Sequence, residues 1–126
     1  HWANELVQKG VKIISVADTV GVSTPDKITE ILPPLVQLFS DTEFGLHLHS
    51  TPQQRLEKIE AAFAAGCTRM DSALKGFGGC PMAADDLTGN IATEDVISYL
   101  NSKGVQLNLD MEKWNEAMMF SGRVFH

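Results

Sequence analysis

The segment Phe44-Gly45-Leu46-His47-Leu48-His49 decides the fold of this 126-residue chain. It is short and mostly apolar, and it is followed at once by Ser50-Thr51-Pro52, which predicts a buried strand that ends at a helix start. Side chains alternate between the faces of a strand, so His47 and His49 project from the same side. The spacing alone fits two interpretations equally: two ligands of one metal ion, or one core histidine beside a hydrogen-bonded one.

A repeated order of strand and helix surrounds this segment. Residues 11–17 and 67–72 are predicted to be further strands, and this alternation is typical of a parallel sheet with right-handed crossovers. Helices are predicted at 2–9, from Thr24-Pro25 to about 39, from Thr51-Pro52 to 66, from 93 to 104 and from 110 onwards. In the second of these, Pro33-Pro34 predicts a kink or two helical pieces.

The apolar residues of two helices predict which side chains enter the core. Leu56, Ile59 and Phe63 recur at helical spacing and predict the buried face of the helix after residue 51. In the last helix, the methionine and tryptophan side chains of residues 111–119 are also expected to be core residues.

Composition limits the classes of partner. The formal net charge is −6 and there is no basic run, so neither nucleic acid nor an anionic membrane is an expected partner. No apolar stretch approaches the roughly 20 residues of a membrane helix.

The two cysteines lack CxxC spacing, which favours a reducing compartment. A start at His1-Trp2 without methionine indicates a piece of a longer chain, so residues 1–126 are expected to form one partial domain.

Polar residues follow the predicted strands where each strand ends. Asp18 ends the first strand, His47 and His49 end the second, and a glycine-rich loop follows the third. In parallel α/β proteins the carboxyl ends of the strands form the functional face. Asp18 could instead cap the turn that follows it, and the sequence leaves both interpretations open.

The two cysteines have different surroundings. Cys80 lies among glycines that let the backbone pass close to a ligand, and a moving loop could bring its thiol over a site; alternatively, the thiol fills a small apolar hole. Cys67 lies between a helix and a strand, and we expect it to pack in the core.

Asn90 is either a turn residue or a metal ligand through its amide oxygen. Two imidazoles with a carboxamide and a carboxylate suit Mg²⁺ or Mn²⁺, and less distinctively Zn²⁺. Glu94 and Asp95 lie in the first turn of a predicted helix, where acidic residues stabilise the positive end of the helix dipole.

Four segments together resemble the C-terminal part of the hydroxymethylglutaryl-CoA lyase family, in the same order and over nearly the whole chain. They are Ser15-Val16-Ala17-Asp18-Thr19-Val20-Gly21, His47-Leu48-His49, Lys75-Gly76-Phe77-Gly78-Gly79-Cys80-Pro81 and Thr88-Gly89-Asn90-Ile91-Ala92-Thr93-Glu94-Asp95. The Gly-Gly-Cys-Pro run is the specific part, because isopropylmalate and homocitrate synthases are expected to carry a Gly-Glu-Arg type of loop there.

The resemblance implies the last three strands, with their helices, of a TIM (β/α)₈ barrel. It implies cleavage of 3-hydroxy-3-methylglutaryl-CoA, an acyl-CoA, to acetyl-CoA and acetoacetate with a divalent metal ion. By position it assigns the metal ligands His47, His49 and Asn90, an acid near the substrate at Asp18, a mobile-loop thiol in proton transfer at Cys80, and a further acid near the site at Glu94.

The chain departs from the family pattern in ways that put its substrate in doubt. Ser50 replaces the usual aspartate, Met82 replaces an aromatic residue, and the stretch 83–88 is one residue longer. The Arg-Asp motif of the first barrel strand has no counterpart. We therefore expect the chain alone to be inactive and to associate with the missing half of the barrel or with another copy.

Two other functions remain open from the sequence. One is a related metal-dependent aldolase or acyl-CoA carboligase, and the other is a non-catalytic fragment that keeps part of a metal site. The expected location is cytoplasmic, with a mitochondrial location also open because targeting information can be missing.

Overall fold

The computed structural model describes residues 1–79 and 88–124, and it confirms the predicted alternation of strands and helices. The elements are α1 Trp2–Gln8, β1 Ile13–Asp18, α2 Pro25–Leu38, β2 Glu43–Ser50, α3 Arg55–Ala64, β3 Met70–Asp71, a 3₁₀ turn Leu74–Gly76, β4 Gly89–Asn90, α4 Thr93–Ser102 and α5 Met111–Val124.

The sheet is parallel over its first three strands. β1 and β2 pair from Ile13↔Glu43 to Asp18↔Leu48. On the other side of β2, β3 pairs through Leu46↔Met70 and His47↔Asp71. β2 is therefore central, and its carboxyl end lies between the ends of β1 and β3.

A fourth strand joins the sheet in the opposite direction. β4 pairs with the end of β2 through His49↔Asn90 and Ser50↔Gly89. The sequence predicts a long structured loop from 73 to 90, and the structure adds to it the 3₁₀ turn near its start and the two-residue strand β4 at its end. Elements of two or three residues are too short to show a hydrophobic period.

Two predicted boundaries also differ. β3 contains only Met70–Asp71 instead of 67–72, although the Arg69 carbonyl still accepts a hydrogen bond from Leu46 N. α3 begins at Arg55 instead of near Thr51, because residues 51–54 form a turn closed by Gln54 N donating to Thr51 O.

α2 is one continuous helix through Pro33 and Pro34, so its division into two pieces is wrong. Each proline lacks an N–H and costs a helix about 3 kcal/mol. Burial of Ile28 and Leu32 in the core offsets this cost, and the Thr24 hydroxyl caps the first turn by accepting from Lys27 N.

The core lies between the sheet and the helices. The face of α3 that packs against the core is not the predicted face. Ile59 is buried as expected, but Leu56 is 58 % exposed. Phe63 is 38 % exposed and packs edge-on against Tyr99 of α4. The charged residue Lys58 is buried in their place. The core cluster comprises Ile28, Leu32, Phe44, Leu46, Leu48, Ile59, Ala61, Ala62 and Ile91.

The expectation that the methionine and tryptophan side chains of residues 111–119 are core residues is only partly met, because Trp114 and Met118 are half-buried. Met111 and Met119 are exposed, and Ser121 is the buried residue of the helix. α5 packs mainly against the 3₁₀ turn. Within the described ranges, no helix combines the length and the apolarity needed to cross a membrane.

Candidate metal centre

The two histidines of β2 lie side by side at the carboxyl end of the sheet. His49 is buried and His47 is half-buried, and both side chains point to one side of the strand. Their Nε2 atoms are 3.3 Å apart, with the rings inclined by 53°.

The distance between these nitrogens fits a shared metal ion, and it also fits a direct hydrogen bond between the two rings. Two nitrogens at about 2.1 Å from one ion, at an angle between tetrahedral and octahedral values, are about 3.0–3.4 Å apart. The Nδ1 atom of His49 is buried with no hydrogen-bond partner among the described residues. Burial lowers the pKa of His49, as does the neighbouring His47, and this favours the neutral imidazole that binds metals.

Asp71 orients the ring of His47. Its Oδ2 atom lies 3.2 Å from His47 Nδ1 and also accepts a hydrogen bond from the Ser15 hydroxyl at 3.3 Å. A carboxylate holds a proton at Nδ1, which leaves the lone pair of Nε2 for a metal. Asp71 is a residue of the site that no sequence motif singles out. Its position at the end of the third predicted strand, level with His47 in a parallel sheet, is the signal that could have found it.

Asn90 is brought beside His49 by the antiparallel pairing of β4. Its side-chain amide donates to Phe77 O at 2.7 Å, and its backbone N–H donates to Gly78 O at 2.9 Å. With Nδ2 held by a carbonyl, Oδ1 is the atom that could bind a metal. Gly78 makes this approach possible: its φ is +88°, and a Cβ there would lie 2.8 Å from Asn90 Nδ2.

The donor set is incomplete within the described chain. No group of three or more histidine, cysteine, aspartate or glutamate side chains that could hold a metal occurs in residues 1–79 and 88–124. Two imidazoles and a carboxamide could provide three ligands. A carboxylate ligand would then come from outside the described residues, as the resemblance implies for the Arg-Asp motif of the first barrel strand.

Asp18 caps the turn after β1, which is one of the two interpretations that the sequence leaves open. Its carboxylate accepts from Val22 N at 3.0 Å, from Ser23 N at 2.9 Å and from the Ser23 hydroxyl. Burial opposes ionisation of Asp18, but the hydrogen bonds from Ser23 and the nearby Lys58 charge outweigh it, so the pKa lies below its ordinary value. The location of Asp18 beside a substrate stays a prediction.

Lys58 is the second residue of the site that the sequence analysis missed. It is 2 % exposed, and its Nζ atom donates to the Asp18 carboxylate, to Gly21 O and to His49 O. A lysine on a helix is normally predicted to be exposed to solvent, so nothing in the sequence indicates that Lys58 is buried.

Glu94 supports the glycine-rich segment. Its Oε2 atom accepts from Lys75 N at 2.9 Å, and Lys75 has a left-handed φ of +58°. Its neighbour Asp95 pairs with Arg55 at 3.1 Å. The role of Glu94 as an acid near the substrate stays a prediction.

The two cysteines differ in what the structure describes. Cys80 lies outside the described residues, so its predicted role in proton transfer is untested. Cys67 is half-buried against the core, as predicted, and its Sγ donates to Arg69 O. Burial raises the pKa of the Cys67 thiol, which keeps it protonated and unreactive.

Comparison with known proteins places this chain in a family. The family described as HMGL-like matches residues 1–120. The mitochondrial hydroxymethylglutaryl-CoA lyase of Arabidopsis thaliana is 37 % identical over 113 residues, which are 90 % of this chain and 24 % of that protein. The cytoplasmic 3-hydroxy-3-methylglutaryl-CoA lyase of Rattus norvegicus is 37 % identical over 115 residues, 91 % of this chain and 33 % of that one.

A solved structure agrees. The HMG-CoA lyase from Acinetobacter baumannii, in complex with coenzyme A and 3-methylmalate, superposes with a TM-score of 0.76 at 32 % identity, over 88 % of this chain and 36 % of that one. This chain thus spans about a quarter to a third of the length of the relatives it matches, and it is an α/β segment of a TIM barrel, as predicted. The chain belongs to the HMGL-like family.

Proposed function

We propose that the full-length protein containing this chain is a metal-dependent carbon–carbon lyase that cleaves 3-hydroxy-3-methylglutaryl-CoA to acetyl-CoA and acetoacetate. The observation that carries the proposal is the pair of Nε2 atoms of His47 and His49, 3.3 Å apart at the carboxyl end of β2. Membership of the HMGL-like family, and relatives named as lyases of this thioester, supply the reaction type.

The reaction needs a base, an electrophile and an acid. The base removes the proton of the tertiary hydroxyl, whose oxygen electrons form the ketone of acetoacetate as the C2–C3 bond breaks. The electrons of that bond pass into the thioester enolate, which takes a proton at carbon to become acetyl-CoA. A divalent cation, when bound, supplies the electrophile, which stabilises charge on oxygen by several kcal/mol.

The residues of this chain would hold and orient that cation. His47 and His49 would bind it through Nε2, and Asn90 through Oδ1. Asp71 holds the proton of His47 at Nδ1, which keeps the Nε2 lone pair available. The amide ligand favours Mg²⁺ or Mn²⁺ over Zn²⁺.

Asp18 is a weak candidate for the base, because its carboxylate already accepts hydrogen bonds from Val22, Ser23 and Lys58 and its pKa is lowered. We therefore place the base outside this chain and give Asp18 the task of holding the loop after β1. Cys80 is the proposed proton donor to the enolate carbon, and Glu94 holds the start of the segment that leads to it through Lys75 N.

The activity requires the rest of the barrel. Residues 1–126 form one partial domain in this proposal, and the missing carboxylate ligand and base leave the isolated chain inactive. The partners are an acyl-CoA substrate and either the missing half of the barrel or another copy. The proposed location is cytoplasmic, with a mitochondrial one open, since relatives are named for both compartments.

The test is thioester cleavage by the full-length protein with added Mg²⁺ or Mn²⁺. We expect acetyl-CoA and acetoacetate, and an approximately 100-fold lower turnover in His47→Ala, because loss of a ligand removes several kcal/mol of stabilisation. His1→Ala, which changes an exposed histidine of the same type, is the matched control. Full turnover in His47→Ala would contradict the proposal.

One observation favours a second candidate, a related aldolase or carboligase that acts on another acyl-CoA or a 2-oxo acid. Ser50 is fully buried and donates to Thr51 O at 2.9 Å, whereas the resemblance predicts an aspartate at this position. A serine lacks the carboxylate that the family pattern has directly after His49, so the substrate can differ. Product analysis with a panel of acyl-CoA and 2-oxo acid substrates distinguishes the two candidates.

A further inference from the structure

Lys58 joins the ends of the two strands that carry the candidate site. It is the fourth residue of α3, and its ammonium group uses three donors on three acceptors: His49 O at 2.8 Å, Gly21 O at 3.1 Å and Asp18 Oδ2 at 3.3 Å. A lysine ammonium has three N–H donors, so this arrangement satisfies it completely.

Stability alone does not account for a charged group in this position. Burying an ammonium is costly, and replacing a buried ion pair by apolar residues is often neutral or stabilising. The feature that an apolar residue cannot reproduce is directional: the shortest of the three bonds is to the carbonyl of His49 itself.

The packing around Lys58 links three elements of the site. A Cβ at Gly21 would lie 2.7 Å from Thr88 Cγ2 and 3.3 Å from His49 O, so the loop after β1 presses on the end of β2 and on the residue before β4. Asn90, which follows Gly89 in β4, pairs with His49. The ammonium group of Lys58 therefore joins the end of β1, the loop after it and the end of β2, and that loop packs against the residue before β4.

We propose that Lys58 is a positioning residue, which fixes the main chain of His49 and thereby aims its imidazole, together with Asn90, at one point. This rests on the proposed function, since the point is the proposed metal position. Lys58 itself does not touch the metal or the substrate. Its effect passes through the hydrogen bond to His49 O.

The test compares metal affinity with stability in the full-length protein. Lys58→Met is expected to lower Mn²⁺ affinity about tenfold, the lower end of the loss typical of groups that orient metal ligands. Lys27→Met, which removes an exposed lysine from the neighbouring helix, is the matched control and is expected to leave it unchanged. Binding is followed by electron paramagnetic resonance of free Mn²⁺, and stability by thermal unfolding without metal.

A double variant separates positioning from charge neutralisation. Lys58→Met leaves the Asp18 carboxylate buried without its cation, and Asp18→Asn/Lys58→Met removes that charge. We expect the double variant to regain thermal stability relative to Lys58→Met while its Mn²⁺ affinity remains about tenfold reduced.

Two outcomes overturn the inference in different ways. A folded double variant that binds Mn²⁺ within about twofold of the wild type would show that Lys58 only neutralises Asp18; the proposed function would then stand. Absence of Mn²⁺ binding by the wild-type protein would remove the proposed metal site, and the positioning role with it.

Discussion

Asp71 determines which nitrogen of His47 faces the second imidazole. We expect Asp71→Ala to lower the Mn²⁺ affinity of the full-length protein about tenfold, because the ring of His47 loses the group that holds its Nδ1 proton. Calorimetric titration with Mn²⁺ measures the change. Ser15→Ala is the control, since it removes only the second hydrogen bond to Asp71, and its effect should be smaller. Equal Mn²⁺ affinity in Asp71→Ala and the wild type would contradict the claim that Asp71 orients the ring of His47.

Asp18 makes the free energy of unfolding depend on pH in the acid range. Its pKa is lower in the folded protein than the unfolded value of about 3.9. Its stabilisation is therefore fully present above the unfolded pKa and is lost as the pH falls through the folded pKa. Denaturant unfolding between about pH 6 and pH 2 should show a steeper loss for the wild type than for Asp18→Asn. Parallel curves for both proteins would exclude this linkage.

Some residues of the site can be predicted from the sequence, and others cannot. His47 and His49 were found because spacing on a strand fixes the side to which they point, and Asn90 was found through the family motif. Lys58 could not be found, because α3 turns it towards the sheet and exposes Leu56. Tertiary packing decides which face of a helix meets the sheet. In α3 the face that meets the sheet includes a charged residue, and an apolar residue is left exposed.

At the scale of elements, the glycine-rich segment holds Asn90. We expect Gly78→Ala to destabilise the protein by about 1–2 kcal/mol through its left-handed φ and also to reduce Mn²⁺ affinity, since the new Cβ meets Asn90 Nδ2. Gly10→Ala is the matched control: its φ is +85°, with nothing within 4 Å of a Cβ. Denaturant unfolding and Mn²⁺ titration check both effects, and identical metal affinity in the two variants would contradict the contact.

The elements themselves were predicted well where they are long. β1, β2 and all five helices follow from hydrophobic spacing, caps and glycine ends. β4 has two residues and pairs with β2 across a separation of about forty positions, and local sequence carries no record of such pairing. This explains why the sequence identified Asn90 without the strand that brings it to His49.

At the scale of the whole molecule, the chain presents an open edge. Within the described residues β1 pairs on one side only, and Ile13 on that strand is 51 % exposed. An unpaired strand edge favours association with another strand. Under the proposed function, we expect the isolated chain to self-associate in light scattering, to show no lyase activity, and to gain activity when mixed with the rest of the barrel. Activity in a verified monomer of the chain would contradict this expectation.

Pulsed electron paramagnetic resonance of the Mn²⁺-loaded full-length protein shows whether His47 and His49 bind one metal ion. Imidazole nitrogens bound to Mn²⁺ modulate the electron spin echo. We expect modulation from two histidines in the wild type, and from one in either His47→Ala or His49→Ala. Bound Mn²⁺ without nitrogen modulation, or modulation that both substitutions leave unchanged, would contradict this expectation.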